Sequence, residues 1–207
     1  MSAALKLLVK PEEYFRDQVT EATGELRVKL EPQIEVYLVN LLCDFVDPAN
    51  NPQNTAADCE AKLLDQPLVL MLKDALEAPP AKKLRIFKSM GDVSLYVSGY
   101  FQDFFNRKAY DINYYITLGS DAYANVATLL RQKHGDQGLA SIYHQLSQKF
   151  ETLVDVVAQV SDSNGTHDNH NTLALYDRWS RLKSDRLRRL LEKRGINPID
   201  NDPKIKQ

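Results

Sequence analysis

Between Leu139 and Val160 apolar residues recur at Leu139, Ile142, Leu146, Phe150, Leu153, Val157 and Val160, in steps of three or four. That spacing places them in one stripe along a helix. It predicts a continuous helix from about Asp136 to Val160. The same period runs through Ile34, Leu38, Leu41 and Phe45, widened by Val36, Tyr37 and Leu42. This predicts a helix over Gln33 to Val46, buried on most sides. Leu68, Leu72 and Leu76, four apart, predict a helix from Pro67 to Glu77. Longer apolar stretches predict helices from Ala81 to Arg107 and from Ile112 to Gln132. A first helix is expected to end near Ala22, stopped by Gly24, and a last one to run from Thr172 to Arg194.

The punctuation agrees with the periods. Pro11, Pro32, Pro67 and Pro79-Pro80 suit helix starts, because proline fits the first helical position. Glu12 and Glu13 then favour the positive end of a helix dipole. Asp111 and Asp136 can cap helix N-termini. His134-Gly135 and Gly195 with Pro198 act as stops. Asp47 to Asp65 and Ser161 to Asn171 are polar loops, the natural hinges. Leu26 to Leu30 is the one short strand candidate. The class expected is all-α: a single irregular bundle of six to seven helices with a core over about 10–160. A basic C-terminal helix over about 172–194 and a frayed tail over 196–207 complete it.

Three glycines sit inside apolar helical stretches: Gly91, Gly99 and Gly119. Each costs a helix roughly 1 kcal/mol against alanine, so close approach of a neighbouring backbone or a ligand is the expected return. Gly91, Ser94 and Ser98 form a small-residue stripe, and Gly119, Ala122 and Val126 its counterpart. Two such stripes allow tight helix crossing, within one chain or between copies in a homo-oligomer.

Composition narrows the function classes. With 43% hydrophobic residues, 26% charged residues and a net charge of −2, the 207-residue chain reads as a globular protein with no global attraction to nucleic acid. Two cysteines, Cys43 and Cys59, are too few for a disulfide framework and suggest a reducing compartment. Neither a signal peptide nor a membrane-spanning run is read, so a cytoplasmic location is expected. GDVSLYVSGYFQDFF and the later DINYYITLGSDAYANVA resemble stretches of bacterial proteins, a resemblance that implies a bacterial cytoplasmic setting and no activity.

Phosphate loops, nucleophile elbows and CxxC pairs are missing, which favours a protein that is not an enzyme and carries no cofactor. Three groups of residues remain. Asp92, Tyr96, Tyr100, Tyr115 and Tyr123 could line a ligand pocket between the helices around 86–107 and 112–132, since tyrosine hydroxyls can bond and perturb a buried carboxylate. Otherwise these tyrosines edge the core with their hydroxyls in water. His167, Asp168 and His170 are metal-ligand types, but in a loop without supporting spacing. Helix capping by Asp168, Asn169 or Asn171 explains that loop as well.

The segment from Asp177 to Arg194 holds eight basic and three acidic residues, +5 in all, so the remainder carries −7. Such a helix can bind a protein partner through Trp179, Arg186 and Arg189, or dock on its own acidic bundle. The leading expectation is a non-catalytic interaction or regulatory protein. A small-molecule binding or catalytic bundle is the alternative.

Overall fold

The computed structural model describes residues 10–46, 68–102, 111–132, 137–163 and 172–198. Among them are nine α-helices and no strand: α1 Pro11–Leu26, α2 Pro32–Val46, α3 Leu68–Glu77, α4 Pro80–Tyr100, α5 Ile112–Gln132, α6 Gln137–Gln148, α7 Phe150–Ser163, α8 Thr172–Leu182 and α9 Asp185–Lys193. The class is all-α, with more helices than the apolar periods alone predict.

Proline stands at the first turn of α1 and of α4. The Asp111 carboxylate accepts from the Asn113 amide at 2.9 Å and caps α5. Gly24 does not stop α1. The helix continues to Leu26 and turns at Arg27, whose φ of 57° is left-handed. The amides of Arg27 and Val28 then close on the carbonyls of Gly24 and Thr23, satisfying acceptors at the helix end. Tertiary packing selects this end, because Phe15, Val19, Ala22 and Thr23 form a buried face that carries the helix past the glycine. Residues 27–31 are therefore a linker rather than a strand.

The long helix expected from Asp136 to Val160 is two, α6 and α7. They meet at Lys149, yet the i→i−4 bonds Lys149–Gln145 and Leu153–Lys149, each 2.9 Å, run through the junction. The apolar stripe therefore stays continuous across it. The basic helix is also two. Lys183, with φ 51°, turns the chain, and the Ser184 side chain caps α9. The fourth helix ends at Tyr100 rather than Arg107, and 103–110 fall outside the described residues. So do the loop at 47–65, the cap at Asp136 and nearly all of the 161–171 loop.

α4 lies at the centre, packed on α3, α5 and α7. α6 covers α5, and α1 bridges α2 and α7. The small-residue stripes meet inside the monomer. A Cβ on Gly119 would stand 2.5 Å from the Ser94 Cβ, and one on Gly91 would collide with the Tyr123 ring. Gly99 abuts Val157 in the same way. The glycines are thus where backbones press on neighbouring side chains. A second, smaller core of Leu175, Trp179, Leu187 and Leu191 lies between α8 and α9. Ile196 packs on it and Pro198 is buried, while 199–207 of the expected tail lie outside the described residues.

Candidate functional site

Two polar clusters sit at helix junctions. The first gathers on Asp92 of α4. Tyr37 of α2 and Tyr123 of α5 both donate to its Oδ1, at 2.5 and 2.8 Å, and Lys88 donates to Oδ2 at 2.6 Å. The Tyr143 ring of α6 completes the group, 5.8 Å from that of Tyr37 and 5.7 Å from that of Tyr123. One carboxylate thus draws groups from four helices together. Burial raises the Tyr37 and Tyr123 hydroxyls well above the ordinary tyrosine range, and the negative charge of Asp92 adds to it. Burial raises Tyr143 as well, against the opposing pull of Lys88. Burial pulls the Lys88 ammonium down, but Asp92 outweighs it and the net shift is upward. These hydroxyls are therefore donors held neutral through the physiological range.

Of the five expected pocket residues, only Asp92 and Tyr123 meet here. Tyr96 instead stacks on Phe45 at 4.1 Å and on Tyr100 at 5.2 Å. Tyr115 is buried and packs edge-on to Tyr114. Tyr37, Lys88 and Tyr143 were not anticipated. Lys88 was legible as the i,i+4 neighbour of Asp92. Tyr37 lies 55 residues away, and no local pattern could have placed it.

The second cluster fastens the α8–α9 hairpin to α7. Arg186, 3% exposed, pairs with Asp162 and donates from Nε to Gln159 Oε1 at 3.0 Å. Ser184 donates to Asp155 at 2.8 Å. Burial lowers Arg186 to about 10, against the opposing charges of Asp155 and Glu25, so it remains charged at neutral pH. Burial raises Asp155, opposed by Ser184 and Arg186. Trp179 is also buried, at 2% exposure, with Lys183 Nζ 4.2 Å above its ring. Of the three expected partner-binding residues, Trp179 and Arg186 therefore face inward and only Arg189 is exposed. Sequence spacing could not show this, because it fixes the face of a helix but not what covers it.

Two clefts flank Arg189. One, of about 390 Å³, lies between the end of α1 and α9. The other, of about 340 Å³, is lined by Asn113, Glu151, Asp155 and Ser184. A third, of about 270 Å³, lies between α4 and α5 and includes Asp121. Asp92 lines none of the three.

His167, Asp168 and His170 lie outside the described residues. Among the described residues, no three His, Cys, Asp or Glu side chains gather as metal ligands, and no helix is long and apolar enough to cross a membrane. No protein-family model, curated protein or solved structure matches the chain.

Proposed function

We propose that this is a non-catalytic helical interaction protein that docks an acidic protein partner on its C-terminal hairpin. The observation that carries the proposal is how the hairpin divides its charge. Arg178 and Arg186 are buried, the latter against Asp162, while Arg181, Lys183, Arg188, Arg189, Lys193 and Arg194 all face solvent, against the exposed acids Asp177, Asp185 and Glu192. The apolar side of the hairpin is closed by its own core, which holds the cationic face in a fixed geometry. Such preorganisation reduces the ordering cost of association. The Asp92 cluster supports the non-catalytic part, since its donors are engaged with one carboxylate inside the bundle. A reducing, bacterial cytoplasmic setting belongs to the same proposal, with Cys43 buried as a small apolar residue would be.

The test is capture from lysate with the native chain and with an Arg189→Glu/Arg194→Glu variant, followed by cross-link mapping. A partner retained by the native chain, lost by the variant and cross-linked to α9 is the expected result. The same proteins captured by both forms would overturn the assignment of this face.

A further inference from the structure

We infer that the cleft between the end of α1 and α9 is the seat for an acidic, partly apolar peptide segment of that partner. The inference rests on the docking reading above and names the place and chemistry of the contact. Arg27, Arg189 and Lys193 line the cleft, and all three are exposed. Among the described residues none of them belongs to an ion pair. Arg189 donates from Nη1 to the Leu26 carbonyl at 3.3 Å, which braces its guanidinium and leaves the remaining donors for a ligand. A guanidinium carries five N–H donors in a planar fork suited to a carboxylate.

The acid at this cleft is already engaged. Glu25 accepts from Gln159 Nε2 at 2.6 Å, while Gln159 Oε1 accepts from the buried Arg186. Counted against Glu25, the three rim cations leave a surplus of two positive charges (3 − 1) where a ligand would sit. Arg27 adds a second observation. It occupies a left-handed backbone position that glycine holds without steric penalty, and its side chain is one of the three cations.

Leu26 and Leu190 supply the apolar part of the wall. Apolar walls between cations favour a chain that alternates carboxylates with aliphatic side chains over free phosphate or a nucleic-acid backbone. A volume of about 390 Å³ falls within the range of roughly 300–1,000 Å³ typical of ligand sites.

The experiment is fluorescence anisotropy with a labelled peptide alternating glutamate and leucine. A lysine–leucine peptide, inorganic phosphate and a single-stranded oligonucleotide serve as comparisons. The acidic peptide should bind the native chain and weaken as salt is raised. Arg27→Glu/Lys193→Glu should weaken it by about tenfold or more, while Arg181→Glu/Arg188→Glu on the outer face should change it by less than about twofold. Trp179 fluorescence checks that each variant is folded, and Arg27→Gln/Lys193→Gln replaces the reversal if it is not. Loss of binding in the outer-face variant alone overturns the cleft and leaves the docking reading standing. No effect of either variant, or no binding at all, overturns both. Tighter binding of phosphate or oligonucleotide at Arg27 and Lys193 overturns the peptide assignment.

Discussion

Gly119 and Gly24 show how differently two helical glycines behave. A Cβ on Gly119 would stand 2.5 Å from Ser94 and collide with the Phe150 ring, whereas one on Gly24 meets nothing within 4 Å. Gly119→Ala should therefore destabilise by about 1–3 kcal/mol through overpacking. Gly24→Ala should stabilise by roughly 0.5–1 kcal/mol through helix propensity. Opposite shifts in denaturation midpoint with unchanged slope would bear this out. The Asp92 cluster makes a pH prediction of definite sign. Tyr37 and Tyr123 are raised above 10.0, so as pH climbs through 10 the unfolded chain loses protons that the folded chain keeps. Stability present below pH 10 should then fall as pH rises, with the Tyr37 and Tyr123 share of the tyrosinate absorbance appearing only as the bundle unfolds. Asp92→Asn should lower stability at neutral pH by about 1–3 kcal/mol, since it weakens an acceptor shared by two hydroxyls and leaves Lys88 without its counter-charge. At this scale the need for close approach at Gly91 and Gly119 was legible, because an interior glycine has a known helical cost. What approached was not: Tyr123 and Phe150 come from other helices.

Helix boundaries follow two kinds of rule. Where proline or a capping aspartate begins a helix, as at Pro11, Pro80 and Asp111, the residue acts on its own backbone and the start is legible. The break at Lys149 has no such residue, whereas the one at Lys183 is followed by the Ser184 cap of α9. Hydrogen bonds persist through Lys149, so the apolar period gives no warning of the junction. Lys183 takes a left-handed φ because α9 turns to bring Arg186 against Asp162. That pair is 2% and 9% exposed, so losing one partner leaves a buried charge uncompensated. Arg186→Met should cost about 3 kcal/mol or more and hasten amide exchange across α8 and α9 before the rest of the bundle. Exchange that rose uniformly through α4 and α5 instead would show that the hairpin is not a separate unit.

Across the whole molecule, two cores share one chain. The large one joins α1 through α7, and the small one closes α8 on α9. The sole tryptophan, Trp179, lies in the small core, while most of the helix lies around the large one. Tryptophan fluorescence should report loss of the hairpin at lower denaturant than far-ultraviolet circular dichroism reports loss of the bundle. Coincident transitions would mean that the two cores unfold together. Charge is divided in the same way, with the basic surplus carried by the hairpin against an acidic remainder.

The sequence by itself determined the all-helical class, most helix starts, the tight packing at interior glycines and the basic character of the C-terminal segment. Each depends on interactions within a few residues or on composition. Only the tertiary structure decided that four helices converge on Asp92, that Trp179 and Arg186 face inward, and that Arg27 stands beside Arg189 and Lys193. Those juxtapositions join residues far apart in the chain, and their energies arise from burial and charge pairing that exist only once the helices have packed.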